Sequence, residues 1–371
     1  MKIKVIEVSS DTNIGGAGKC LITLLENFNY DMFDVSVVLP ENSLLKPHIE
    51  KLGIRVIEVA GIADKSLDFK AVKTLRKIFK AEKPDIVHTH ASMSARIAAK
   101  QAGAKVVYTR HSVFPPSKKI SRGIGKVING MINNHYADSI IAVAEAAKDN
   151  LTDTGVKESK ISVVLNGVDG LSRLSTDEER ITRERFRLPD GYKAVSIVAR
   201  LEDIKGHDYF IDAANILLRK GHKVRFYIAG TGSYEAHLKE KVEKMHRGEQ
   251  IIFTGFITDV DRLMCITDIQ ANASYGTEAT SLALVEGMSL GIPAVVSDFG
   301  GNPGVISDGE NGFVVPKQDA KALADGIEKL LTDEALYQKM SENSRRIFAQ
   351  TFTSKAMTRQ TEDIYRALIT K

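Results

Sequence analysis

The 371-residue chain has no tryptophan and only two cysteines, Cys20 and Cys265, which form no Cys-x-x-Cys pair. A disulfide framework and a cysteine-ligated structural zinc site are thereby excluded, and both thiols are expected to act as small buried hydrophobes. Nowhere do about 18 apolar residues run together without a charge, so no membrane span is expected. The opening Met1-Lys2-Ile3-Lys4-Val5-Ile6-Glu7-Val8 places Glu7 where a signal peptide needs an unbroken apolar stretch. A cytoplasmic location is the expectation. Internal repeats of about 20 to 50 residues are absent, which argues against a solenoid. The most local absence is of acid: no Asp or Glu occurs between Asp85 and Asp138, while Arg96, Lys100, Lys105, Arg110, Lys118, Lys119, Arg122 and Lys126 fall within that stretch.

What is present is ordinary for a globular protein, with 43% hydrophobic and 26% charged residues, enough to bury sizeable cores and to exclude disorder as the main state. The length exceeds what one core usually fills, so two domains are expected. Fifty-one basic against 47 acidic residues give a net charge of +4. This excess is too small to imply a nucleic-acid partner.

Short β-rich runs alternate with helical-period segments, the pattern of parallel sheets covered by helices on both faces. Strands are expected at 3–8, 35–39, 54–59, 85–88, 105–108, 139–143 and 161–164. A polar stretch over 171–187 follows, and a second series then begins at 194–198, 224–228, 251–253, 268–271, 294–296 and 312–315. The expected division is 1–168 and 169–352, with a terminal helix over 353–371 whose apolar positions are Ala356, Ile364, Ala367 and Leu368. The fold class is α/β, with two doubly wound, Rossmann-like domains facing across a cleft. Ligands in such folds bind beyond the carboxyl ends of the strands.

Those ends carry the informative residues. After the first strand comes Asn13-Ile14-Gly15-Gly16-Ala17-Gly18-Lys19-Cys20. It is either a tight turn or a phosphate cradle at a helix N-terminus. It fails the P-loop pattern at Asn13 and Cys20, and the dinucleotide fingerprint at Leu21. His88-Thr89-His90 ends one strand and Tyr108-Thr109-Arg110-His111 the next, which puts His90 and His111 on one rim. The spacing of His88 and His90 is compatible with metal ligation but has no close third ligand in the sequence, so structural or substrate-adjacent histidines are favoured. Arg200 and Lys205 form either a solvated loop pair or a clamp that neutralises a diphosphate. Asp259-Val260-Asp261 has the Asp-x-Asp spacing of metal-dependent sugar transferases, yet Asp259 is better explained as a helix N-cap. Glu278 precedes a helix expected to begin near Thr280 or Ser281, and Glu286 lies about two turns inside it. Two carboxylates flanking a helix N-terminus suit a ligand with hydroxyls at both ends and a diphosphate between them, which describes a nucleotide sugar.

Together, Gly15-Gly16-Ala17, His111, Asn166-Gly167-Val168-Asp169, Arg200-x4-Lys205-Gly206, Gly230-x-Gly232 and Glu278-x7-Glu286 resemble the retaining glycosyltransferases of family 4, glycosyl transferases group 1, which have the GT-B fold. The resemblance spans essentially the whole chain. It implies a nucleotide-diphosphate-sugar donor on the second domain, UDP favoured over GDP, and an acceptor on the first. Arg200 and Lys205 would bind the diphosphate, Glu286 the ribose, and Glu278 the transferred sugar. Backbone around Gly15, Gly16, Gly230, Thr280, Ser281 and Leu282 would line the donor, with His111 beside the reacting sugar. No metal or other cofactor is implied, and the anomeric configuration would be retained. Many relatives have Gly-Phe-Gly-Leu after the first Glu, whereas this chain has Ala279-Thr280-Ser281-Leu282, so the donor sugar is not transferred from them.

Within 117–135, basic residues surround Ile120, Ile124, Val127, Ile128 and Met131. Such a segment either packs internally or rests on anionic lipid at the inner face of the membrane, near a glycan or lipid-linked acceptor. Two further readings use the same residues: a GT-B-type nucleotide-sugar 2-epimerase, with Glu278 and Glu286 as acid and base, and a non-catalytic sugar-nucleotide binder.

Overall fold

The computed structural model describes residues 2–63 and 66–370. The chain forms two compact units: Met1–Val168 with Ser354–Lys371, and Asp169–Thr353.

In the first unit, seven parallel strands run β1 (Ile3–Ser9), β2 (Phe33–Pro40), β3 (Arg55–Val59), β4 (Ile86–His90), β5 (Lys105–Arg110), β6 (Ser139–Ala142) and β7 (Ile161–Val163). Their order across the sheet is β3-β2-β1-β4-β5-β6-β7. Strand alternation sorts the side chains onto two faces. Ile6 and Val8 of β1 join Val87, Val106 and the helices Phe69–Glu82 and Met93–Ala102 in one apolar cluster. Val5, Ile86 and Val107 face the other way, against Leu21, Leu24 and Leu25 of the helix Gly16–Asn27 and Met357 and Tyr365 of the terminal helix Ser354–Ile369. The same parity carries Glu7, His88, His90 and Thr109 onto this second face.

The second unit repeats the architecture with β8 (Lys193–Val198), β9 (Val224–Ala229), β10 (Ile251–Gly255), β11 (Ile269–Asn272), β12 (Ala294–Ser297) and β13 (Gly312–Val315), ordered β10-β9-β8-β11-β12-β13. Val195, Ile197, Phe226 and Ile228 pack against the helices His207–Arg219 and Ala320–Thr332. Ala194, Tyr227 and Ala229 meet Phe186, Leu188 and Leu263 on the opposite face.

Several local expectations are corrected. The polar stretch after Leu171 contains a helix, Thr176–Arg185, started by a capping box in which the Ser175 hydroxyl accepts from the Glu178 backbone N–H and the Glu178 carboxylate accepts from the Ser175 N–H. Asp259 stands at the N-cap position of Val260–Cys265 but makes no side-chain cap; it is drawn away by the guanidinium of Arg185. Cys20 is buried as expected, whereas Cys265 is only partly buried. The helix carrying Glu286 spans Leu282–Leu290, with Ser281 as its N-cap and accepting from the Leu284 N–H.

Candidate active site

In the second unit the strand order reverses direction between β8 and β11, and the candidate residues lie on the loops that leave these two strands. The loop after β8 carries Arg200 and Lys205, and the loop after β11 carries Glu278, Thr280 and Ser281. A contact joins the loops: Lys205 Nζ lies 3.1 Å from Glu278 Oε2 and 2.9 Å from the Thr277 carbonyl. Both side chains are about nine-tenths buried, at 11% and 10% exposure. Asn272 Nδ2 and Ser274 Oγ donate to the same Glu278 oxygen at 3.2 and 3.0 Å. Glu278 is therefore oriented by three donors before any ligand arrives. Arg200 is placed differently, 72% exposed and paired with Glu202 Oε1 at 2.7 Å. The structure thus brings Lys205 to Glu278 and leaves Arg200 turned to solvent. Glu286 sits partly buried in the helix Leu282–Leu290, eight positions beyond Glu278.

Two glycines hold the Arg200–Lys205 loop in place. Gly206 has φ +71°, and a Cβ there would lie 2.0 Å from the Ala273 carbonyl oxygen at the end of β11. Gly230 has φ +139°, and its Cβ would lie 2.1 Å from the Ala199 carbonyl oxygen. Both positions need glycine for backbone reasons, so Gly230 has a structural task, whatever it also contacts. Gly15 and Gly16 contrast with them. Neither has a positive φ, and a Cβ on either would meet nothing within 4 Å. Packing in the first unit gives no reason for these glycines, and they stand exposed at the N-terminus of the 12-residue helix Gly16–Asn27, where backbone N–H groups lack intrahelical partners.

The second face of the first sheet holds a polar cluster at the carboxyl ends of β1, β4 and β5. Glu7, on β1, pairs in register with His88 on β4, and Ser9 with His90. Glu7 Oε2 lies 3.0 Å from both His88 Nδ1 and His90 Nε2, while the Tyr365 hydroxyl donates to Glu7 Oε1 at 2.7 Å. His88 Nε2 meets Thr109 Oγ1 at 2.6 Å, and His90 Nδ1 meets His111 Nε2 at 2.7 Å. Burial would push the Glu7 carboxyl up, but the charge of His88 and the hydrogen bonds of His88 and His90 outweigh it and hold the group well below the usual carboxylate range. Burial pushes His88 down. His111 is pushed down further, by burial and then by His90 and His88. Burial and the neighbouring Glu7 raise the Tyr365 hydroxyl well above its ordinary value.

Glu7, more than 80 positions away in sequence, thus supplies a third group beside His88 and His90. The ligand atoms of the three lie within 4.8 Å of one another, a set that could in principle hold an ion. These same atoms already serve one another as hydrogen-bond partners. The sequence signal for Glu7 was its parity: an acid at an inward position of an otherwise apolar strand. Tyr365, Asn272 and Ser274 carried no comparable signal.

The helix Gly123–His135 turns its apolar residues outward. Ile124 is 78% exposed, and Val127, Ile128, Met131 and Ile132 are exposed with it. Only Gly130 is buried, and it lies so close to Gly155 that an added Cβ would sit 2.2 Å from the Gly155 carbonyl oxygen. Asn129 and Asn134 donate to the Thr154 and Gly155 carbonyls. The packed face is therefore glycine and asparagine, and the internal-packing expectation for these apolar side chains is not met. No helix among the described residues is long and apolar enough to cross a membrane.

Residues 14–170 match the profile of Glycosyltransferase Family 4, and residues 178–347 that of Glycosyl transferases group 1. The chain is 26% identical over 386 aligned positions to the UDP-Gal:alpha-D-GlcNAc-diphosphoundecaprenol alpha-1,3-galactosyltransferase of Escherichia coli, covering 98% of this chain and 97% of that one. It is 23% identical to the capsular polysaccharide biosynthesis glycosyltransferase CapM of Staphylococcus aureus, with 91% and 90% covered. Among solved structures, Anabaena HepE in complex with UDP superimposes with a TM-score of 0.86 at 21% identity, covering 98% of this chain and all of that one. The two profiles, the two doubly wound sheets and the residues gathered at their carboxyl ends agree, and the chain belongs to the group 1, family 4 glycosyltransferases of the GT-B fold class.

Proposed function

We propose that the protein moves a hexose-type sugar from a nucleotide-diphosphate donor, UDP-linked in preference to GDP-linked, to a hydroxyl of a glycan, lipid-linked or small-molecule acceptor. The reaction retains anomeric configuration and needs no metal. The observation that carries this reading is the Lys205–Glu278 pair at the strand-order reversal, beside the N-terminus of Leu282–Leu290. A cation there balances the charge that builds on a departing diphosphate, and the backbone N–H groups of the helix start add to it. Arg200, exposed on the same loop, supplies the second positive charge by turning inward onto the donor. Glu286 accepts from the ribose hydroxyls and Glu278 from hydroxyls of the transferred sugar, since ionised carboxylates accept from several donors at once. Gly15 and Gly16 admit the ligand close to backbone, and His111 lies beside the reacting sugar. The E. coli galactosyltransferase and the UDP complex of HepE support a UDP-sugar donor.

The acceptor side rests on the helix Gly123–His135 and the preceding Lys118, Lys119 and Arg122. An exposed apolar ridge with basic flanks suits peripheral contact with anionic lipid, next to a lipid-linked acceptor. A thermal-shift panel of nucleotide sugars tests the donor. A ligand at a hundred times its dissociation constant adds about 2.7 kcal/mol. Stabilisation by UDP-sugars, followed by transfer that persists in EDTA with an α-linked donor giving an α-linked product, is the expected result. No stabilisation by any sugar nucleotide would refute the reading. Isomerisation of the donor without an acceptor would replace it with the epimerase.

A further inference from the structure

The cluster around Glu7 does more than fill the core, because its hydrogen bonds have a direction. Glu7 is ionised and only accepts; His90 and Tyr365 donate to it, and His88 Nδ1 shares its proton between the Tyr365 hydroxyl oxygen at 2.6 Å and Glu7. A neutral His90 that donates from Nε2 to Glu7 must accept at Nδ1. The proton in the 2.7 Å contact between His90 Nδ1 and His111 Nε2 then belongs to His111, whose other nitrogen, Nδ1, is left bare. The opposite arrangement, a cationic His90 donating at both ends, would leave His111 with a buried Nδ1–H and no acceptor. Nδ1 of His111 is buried without a hydrogen-bond partner, whereas every other ring nitrogen of His88, His90 and His111 has one. Both arrangements leave Nδ1 of His111 without a protein partner; the first is favoured because it needs no buried imidazolium, whose desolvation can exceed its attraction to Glu7. His111 also lines a small cavity of about 20 Å³, with Thr109, Asn166 and Thr361 among its other walls. This volume holds about one water.

We infer that Glu7 is a positioning residue: acting through His90, it fixes His111 as the Nε2–H tautomer, so that His111 meets its ligand as a hydrogen-bond acceptor and pairs with a water or a substrate hydroxyl. Tyr365 and His88 complete the shell of donors that keeps Glu7 in place. The helix Ser354–Ile369 thus reaches His111 through one carboxylate. The tautomer follows from the first unit alone. Only the statement that the hydroxyl belongs to a sugar substrate rests on the proposed transfer reaction.

The test uses the full chain labelled with ¹⁵N-histidine. Long-range proton–nitrogen spectra report which ring nitrogen carries the proton, and a nitrogen–nitrogen coupling across the His90–His111 contact reports the bond itself. His111→Asn and His90→Gln assign the signals. The expected result is a protonated Nε2 and a bare Nδ1 on His111, coupled to His90. Glu7→Gln offers one acceptor oxygen where His90, Tyr365 and the shared proton of His88 converge, so the His88–His90–His111 signals must change. In the transfer assay kcat should fall about ten- to a hundredfold, as when other orienting partners are lost, with KM for the donor nearly constant. A protonated Nδ1 in the wild type, or no coupling to His90, overturns the inference without any variant having to fold. Unchanged histidine signals and full kcat in Glu7→Gln also overturn it. The expected spectra with no transfer to any acceptor would support the positioning role and refute the transferase reading.

Discussion

Replacing Lys205 with alanine separates what this cation does for the fold from what it does for a donor. In the free protein its partner is Glu278, at 3.1 Å with both side chains about nine-tenths buried. Removing the cation strands a carboxylate in a low-dielectric site. Breaking a buried pair this way costs about 3 to 5 kcal/mol, and the donors retained from Asn272 and Ser274 set the expectation at the low end, about 3 kcal/mol. In a domain of this size, 3 kcal/mol corresponds to a fall in Tm of about 6 to 12 °C. Glu278→Gln in the same chain should recover a large part of this loss, because the stranded charge is gone. Catalysis should behave otherwise. Loss of one charge-assisted contact to the diphosphate, about 1.5 to 3 kcal/mol, lowers kcat/KM about 13- to 160-fold at 1.36 kcal/mol per decade, and the double variant does not recover it. The assay is nucleotide release from the sugar nucleotide that stabilises the protein most, run well below each variant's Tm. A kcat/KM within twofold of wild type in both Lys205→Ala and Glu286→Ala would refute the assignment of the donor site. Recovery of kcat/KM by Glu278→Gln would show that Lys205 serves only to hold Glu278.

The two kinds of glycine predict opposite outcomes. Gly16→Ala, with open space around its Cβ, should shift Tm by at most about 4 °C, an alanine at a helix start being worth at most about 0.5 to 1 kcal/mol, yet weaken nucleotide-sugar binding in calorimetry. Gly230→Ala should lower Tm by several degrees, because its Cβ would collide with the Ala199 carbonyl. In flotation with anionic vesicles at low salt the protein should rise with the lipid, and Ile124→Glu with Met131→Glu should abolish this without a change in Tm. Acid should destabilise the protein before ordinary carboxylates titrate. His207 is pushed down to about 4, by burial and then by Lys205, and His88 and His111 are also lowered. The unfolded chain therefore binds more protons below about pH 6.5, and stability is lost as pH falls from there, by up to about 1.4 kcal/mol per unit for each such histidine. Urea titrations at pH 7.5, 6 and 5 check this; equal midpoints would refute it.

All thirteen strands were legible because a parallel sheet buried on both faces needs nearly continuous apolar runs, and turn residues punctuate them here. The edges moved by one or two residues, as at β2 and β5. The helix Thr176–Arg185 has no apolar period to reveal it, being almost wholly polar, although Ser175-x-x-Glu178 marks its start. At the site, local spacing served well: Glu278, the helix start at Ser281 and the rim shared by His90 and His111 were all within reach of a chain read one segment at a time. Pairings across the sheet were not. Glu7 and His88 are neighbours through the register of β1 with β4, and Tyr365 reaches them from a helix 358 positions beyond Glu7. Asp259's capture by Arg185 is likewise the work of a partner distant in sequence, whereas Arg200 is held outward by Glu202 on its own loop. The face on which Gly123–His135 packs is set by backbone proximity at Gly130 rather than by apolar periodicity.

The terminal helix gives the first unit an unusual order of assembly. During synthesis residues 2–168 emerge long before Met357 and Tyr365, which belong to the same apolar cluster as Val5, Leu21 and Val107. Until Ser354–Ile369 leaves the ribosome, that face of the sheet is covered by Gly16–Asn27 without Met357 and Tyr365, and Glu7 lacks its hydroxyl donor. Domains usually fold as units during translation, the N-terminal one first. Here the residues of the second unit, Asp169–Thr353, are complete before Ser354–Ile369 of the first unit has been made, so the unit that begins earlier in the chain is completed later.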